Sequence, residues 1–151
     1  MSIALLLVAL AGRVSAEARH RQAAYLELFG KGGLGGVGYD VELLDRLGVG
    51  AVASFYVLDD QRVLSLSPYA GTYLLGGLRH RWFVHGGPQL VRVSIRSTVP
   101  EWSGTTSTGL GAELSSGWEY RHRVLLRVFA MVTAGKGGVA PWMGVSIGWT
   151  R

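Results

Sequence analysis

The chain has 151 residues, with 15 Lys and Arg against 10 Asp and Glu (a formal charge of +5) and no cysteine. The missing cysteines exclude a disulfide framework and a thiolate metal site. The basic residues are scattered over segment ends without a patch or an RNA-binding signature, which argues against nucleic acid. In chain order, Ile3 to Ala11 is an apolar stretch of signal-peptide length, and Val14-Ser15-Ala16 matches a small-x-small cleavage pattern. The alternative is a buried N-terminal helix, which the charges at Glu17, Arg19 and Arg21 disfavour. Residues 1–16 are therefore expected to be a cleaved signal peptide, 17–23 a short lead-in, and 24–151 the folded domain. Cleavage would remove Arg13 and leave 14 basic and 10 acidic residues, a net charge of +4.

From Ala24 onward, eight segments alternate with turn signals. They run over Ala24–Gly30, Gly35–Leu43, Leu47–Val57, Arg62–Leu75, Arg79–Ser97, Thr108–Tyr120, Arg123–Thr133 and Val139–Thr150. A polar stretch, Thr98–Ser107, separates the fifth from the sixth. The other connections are short and rich in Gly, Asp and Lys, as hairpins require. No apolar run after the start is long enough for a spanning helix.

Within these segments apolar residues recur with a period of two, which is the signature of strands. Val37, Tyr39, Val41 and Leu43 oppose Gly36, Gly38, Asp40 and Glu42. Leu110, Ala112, Leu114, Trp118 and Tyr120 oppose Gly111, Glu113, Ser115, Gly117 and Glu119. Val124, Leu126, Val128, Ala130 and Val132 oppose Arg127, Phe129, Met131 and Thr133. One face carries no charge. An arginine or lysine facing lipid at mid-membrane costs about 2–4 kcal/mol, so a charge-free parity is what a lipid-facing surface demands. The other face mixes Gly and Ser with Tyr, Glu and Arg. Eight strands leave an interior just wide enough for side chains, and small residues beside large ones fit it. The low charged fraction, 17%, and the 23 glycines agree with this.

The fifth segment changes phase. Arg81, Phe83, His85 and Gln89 have odd parity, whereas Arg92, Ser94 and Arg96 have even parity. The expectation is a bulge or break at Gly86-Gly87-Pro88 that resets the register. The opposite overall geometry is a lipocalin-like soluble barrel with its apolar face inward, a carrier of an apolar ligand. Its outside would then hold Gly, Ser, Tyr and Phe, with Lys only at Lys31 and Lys136 in turns, which is a poor solvated surface.

Over Ala24–Arg151 the chain resembles the small eight-stranded outer-membrane β-barrels of Gram-negative bacteria. The resemblance lies in the strand pattern, in the short first hairpin Leu28-Phe29-Gly30-Lys31-Gly32-Gly33-Leu34, and above all in the closing strand Pro141-Trp142-Met143-Gly144-Val145-Ser146-Ile147-Gly148-Trp149. It implies an outer-membrane location, with both termini on the periplasmic side. Insertion would be by the assembly machinery that reads a terminal aromatic residue. This chain ends Trp149-Thr150-Arg151, so Trp149 would take that part. On this orientation Trp82, Trp118, Tyr120 and Trp149 fall near the inner strand ends, where an aromatic girdle sits.

The interior is expected to gather Glu27, Asp40, Glu42, Glu113 and Glu119 with Arg81 and Arg127. Paired carboxylates could serve acid–base chemistry. A salt-bridge network that plugs a narrow barrel is the simpler use, because buried charge must be paired. Arg127 is expected to pair with Glu113 or Glu27. His80 and His85 have opposite parity and cannot chelate one metal from a regular strand. A lipid-modifying enzyme of barrel type would place a histidine with a serine at the outer rim, and no histidine lies in an expected outer loop. Asp59-Asp60 reads as a solvated turn. In Thr98–Ser107, Trp102 beside Glu101 is the best candidate for contact with a sugar or protein.

The sequence thus predicts an all-β fold, an eight-stranded antiparallel up-and-down transmembrane barrel preceded by a signal peptide. The function expected is structural or adhesion-type, without catalysis, cofactor or metal.

Overall fold

Strands with one apolar and one polar face can bury one of them, without leaving an edge, by closing into a cylinder. This is what the computed structural model of the protein shows; it describes residues 21–58, 60–77, 79–96 and 104–151. Eight strands follow in order: β1 (Gln22–Gly30), β2 (Gly33–Leu44), β3 (Leu47–Leu58), β4 (Gln61–Gly76), β5 (His80–Ile95), β6 (Thr105–Arg121), β7 (Val124–Gly135) and β8 (Gly138–Thr150). Each pairs antiparallel with the next, and β1 pairs with β8 from Ala23↔Thr150 to Leu28↔Val145, closing the barrel. The cylinder therefore has no free edge and satisfies its backbone from within. The expected signal peptide, Asp59, and Glu101 with Trp102 lie outside the described residues.

The two faces separate as the alternation predicts. Val37, Phe55, Val128 and Val145 point outward and are 46–64% exposed. Glu27, Asp40, Glu119, Arg127 and Ser146 point inward and are buried. Among the described strand residues of β1, β2, β3, β6, β7 and β8, no Asp, Glu, Lys or Arg faces outward. This exterior is apolar and the interior ionic, the reverse of a soluble carrier.

Glycine makes room for the inward-facing rings. Tyr25 pairs with Gly38 on β2 and Gly148 on β8. Tyr69 pairs with Gly50. Gly117 lies between Phe83 and Phe129. A Cβ at Gly38 would fall 2.2 Å from the Tyr25 ring. Large beside small is thus a cross-strand rule here and explains why glycines recur inside strands.

Three expectations are corrected. No phase reset occurs at Gly86–Pro88: β5 pairs with β6 without a break from His80↔Tyr120 to Ile95↔Thr105. Arg81, Phe83 and His85 are buried, and Arg92 stands outside on the unchanged parity. The irregularity sits instead between Tyr73 and Leu75 on β4. The prolines still leave a mark, since β4–β5 pairing lapses between Leu66↔Leu90 and Ala70↔Gly86, the stretch holding Pro68 and Pro88, which lack an N–H. Second, β6 begins at Thr105, so strand takes up part of the expected polar stretch 98–107. Third, β1 already starts at Gln22.

Candidate functional site: the barrel lumen

Inward-facing positions from all eight strands meet around the axis in two layers. The first layer lies toward the rim where β1 begins and β8 ends. Asp40 and Glu42 come from β2, Arg81 from β5, Glu119 and Arg121 from β6, and Arg127 from β7. Glu119, with no solvent exposure, receives Arg81 Nη2 at 2.8 Å, Arg121 Nε at 3.0 Å and Arg127 Nε at 2.5 Å. Asp40 receives Arg121 Nη2 at 2.7 Å on Oδ1 and Arg127 Nη2 at 2.5 Å on Oδ2. Arg81 also donates to Glu42, and Arg121 Nε lies 3.2 Å from the same carboxylate. Three guanidinium groups thus meet three carboxylates, and the layer is neutral.

Tyrosines complete it. Tyr69 Oη donates to Asp40 Oδ2 at 3.1 Å and lies 2.7 Å from Tyr25 Oη. The Arg81 guanidinium sits 3.8 Å from the Tyr73 ring centroid. Planar guanidinium forks suit this duty, because each can reach two carboxylates and stack on a ring.

The second layer is built around Lys31. The sequence places it in the turn between the first two segments. The structure folds the β1–β2 hairpin tip into the barrel, leaving Lys31 2% exposed. Its ammonium donates to Ser115 Oγ at 2.9 Å, lies 3.8 Å from Glu113 Oε1, and stands 4.6 Å from the Phe129 centroid and 5.1 Å from that of Tyr69. Its backbone N–H donates to Glu27 Oε1, which also anchors the tip, and Ser146 Oγ donates to Glu27 Oε2 at 3.2 Å. The Lys31 carbonyl accepts from Gln89 Nε2 at 2.7 Å, and the Gly32 carbonyl from Ser54 Oγ.

The inward bend has local causes. Phe29 and Gly33 take positive φ (51° and 85°), reversing the chain on either side of the tip. Gly144 lets the tip lie against β8, where a Cβ would fall 2.7 Å from Gly30 Cα. Between the two layers, His85 stacks on Phe83 (4.2 Å) and on Tyr69 (4.7 Å).

All seven residues expected in the lumen are there and buried. The expected partners of Arg127 are corrected: it binds Asp40 and Glu119, while Glu27 and Glu113 serve Lys31. Register is the reason. Arg127 lies directly opposite Glu119, whereas Glu113 is opposite Thr133, six residues farther up, about 20 Å along the strand. Two cations escaped the sequence reading. Arg121, assigned to a turn, shares the odd parity of Glu113 and Glu119, which was signal enough. Lys31 carried only its setting between Gly30 and Gly32.

At the terminal rim, Trp82 pairs with Trp118 and His80 with Tyr120, while Trp149 pairs with Val124. All four aromatic residues expected in a girdle are thus placed near the same strand ends. Trp82 Nε1 donates to Ser116 Oγ at 2.9 Å.

No protein-family model and no curated protein matches the chain. Solved structures do. The N-terminal β-barrel domain of Pseudomonas aeruginosa OprF matches with a TM-score of 0.65 at 16% identity, over 87% of this chain and 96% of that one. Ail, the attachment invasion locus protein of Yersinia pestis, matches at 0.56 and 10%, over 87% and 94%. Neisserial surface protein A matches at 0.52 and 13%, over 86% and 93%. The fold is that of the small eight-stranded outer-membrane barrels of Gram-negative bacteria.

Proposed function

We propose that the protein is a closed barrel of the bacterial outer membrane with a structural or adhesive role and no catalysis. The observation that carries this reading is the filled lumen: a neutral layer of six interlocked charged side chains at one level, and an inserted hairpin tip at the next. Carboxylate oxygens that already accept from several fixed guanidinium groups are not free to meet a substrate. The apolar exterior supports a place in lipid, and Trp82, Trp118, Tyr120 and Trp149 suit the periplasmic interface. Insertion would use the outer-membrane assembly machinery, with Trp149 as the aromatic it reads. The adhesive part draws on the name of Ail and on the sequence of residues 98–107, where Glu101 and Trp102 would offer the contact.

Planar-bilayer recording tests closure. The purified protein should add no conductance in 1 M KCl, whereas steady channels from the intact barrel would contradict the reading. For adhesion, a Gram-negative strain displaying the protein should bind cultured epithelial monolayers more than the empty strain, and Trp102→Ala should reduce that binding. Equal binding by all three strains would leave the structural role alone.

A further inference from the structure

We propose that the outward faces of β4, β5 and β6, around Arg62 and Arg92, form a binding site for the phosphate of an anionic lipid headgroup. Among the described strand residues, Arg62 and Arg92 are the only Asp, Glu, Lys or Arg side chains that face outward. Elsewhere the outward parity of the described strands carries no charge, so these two, at the edge of the apolar band, stand apart. They are neighbours. Arg62 pairs with Ser94 and Leu64 with Arg92, which places the arginines diagonally on adjacent strands, about 7–8 Å apart at the backbone. Both are exposed, and no ion pair joins either to a carboxylate among the described residues.

Their depth is informative. Arg92 lies ten residues from Trp82 on β5. That is about 33 Å of strand, or about 25 Å along the membrane normal at a tilt of about 35–45°, which is the height of the apolar band. With Trp82 at one boundary of the hydrocarbon, Arg92 stands at the other. Directly below it, Leu66, Leu90 and Leu110 share one row and are exposed.

The neighbouring side chains are donors. Ser94 and Thr106 pair across β5–β6 with their hydroxyl oxygens 3.2 Å apart, and Thr108 pairs with Arg92. Arg96 is exposed just beyond, its backbone N–H bound to the Asp60 carbonyl. The nearest acids in the chain are Asp59 and Asp60, just before Arg62. Two guanidinium forks and a row of hydroxyls, level with the headgroups and above an apolar wall, suit a lipid phosphate whose acyl chains lie on that wall. At the same end of the barrel outward strand residues such as Leu28, Leu34, Phe55, Val57, Val139 and Pro141 are uncharged, and the other exposed base there among the described residues besides Arg96 is Lys136, across the barrel in the β7–β8 turn. The feature is therefore one patch and not a basic ring.

The site presupposes the membrane-spanning barrel proposed above, and the test separates the two. Wild type and R62Q/R92Q are refolded in phosphatidylcholine vesicles and scored for insertion by heat-modifiable gel mobility. Each is then analysed in detergent by native mass spectrometry with equimolar phosphatidic acid and phosphatidylcholine. Both proteins should insert alike. Wild type should retain phosphatidic acid at least fivefold over phosphatidylcholine, and R62Q/R92Q should lose that preference. A control, R79Q/R123Q, altered at the opposite rim, should keep it. Equal retention by wild type and R62Q/R92Q overturns the site, as does full displacement by millimolar inorganic phosphate, which would mark a general anion site. Failure of wild type to insert would instead overturn the barrel reading itself.

Discussion

Glu119 accepts hydrogen bonds from three arginines while wholly buried, so it is the group whose loss should be felt most. Glu119→Gln should lower unfolding free energy by about 3–5 kcal/mol, the cost of leaving buried partners uncompensated. Urea titration of the protein in lipid vesicles measures it, and a change under about 1 kcal/mol would mean the network is dispensable. Lys31 offers a cleaner cycle, because Glu113 faces it at 3.8 Å and makes no hydrogen bond among the described residues. Lys31→Met should destabilise, and Lys31→Met with Glu113→Gln should recover much of the loss; additive effects would show that the two groups do not interact. Lys31 was not legible as a luminal residue. Its inward turn depends on the φ of Phe29 and on room beside Gly144, neither of which a period-two pattern records.

Along each strand the alternation was readable because lipid on one side and a crowded axis on the other impose opposite demands at every second residue. It locates β2, β3 and β7 within two residues at each end. It misleads in β5, where the parity of Arg92, Ser94 and Arg96 implies a phase reset that the register does not make. There the strand had left the hydrocarbon, and polar residues outside are no longer penalised. Partners across the lumen were harder still, since parity gives the face but only register gives the height. Two element-level outcomes follow. Val128→Arg, on the lipid face of β7, should cost about 2–4 kcal/mol and block insertion into vesicles; insertion at the wild-type level would contradict the lipid-facing assignment. In β6, a Cβ at Gly117 would fall 2.2 Å from the Val128 carbonyl oxygen and 2.5 Å from Phe129 Cα, whereas Gly109 has nothing within 4 Å. Gly117→Ala should therefore destabilise by about 1–3 kcal/mol and Gly109→Ala hardly at all, compared by the same urea titration. Similar losses at both sites would mean that crowding does not set the cost of replacing glycine here, since the backbone entropy of the unfolded chain favours alanine.

For the molecule as a whole, the chain follows one division: hydrocarbon outside, ionic side chains along the axis. Closure of β1 on β8 removes the last free edge, and the inserted hairpin tip, with Lys31 buried, shares the interior with the strands' own side chains. The overall architecture is legible because eight alternating segments and a charge-free parity have few joint solutions. The absence of native cysteine allows the most direct test. Single cysteines at Val37, Val128 and Val145, and at Ser65, Ser115 and Ser146, would carry a small fluorophore in vesicles containing brominated lipid. The first three should be quenched by the lipid and shielded from iodide, and the serine positions should show no lipid quenching. Lipid quenching at the serine positions, with iodide reaching Val37, Val128 and Val145, would invert the barrel and end the account.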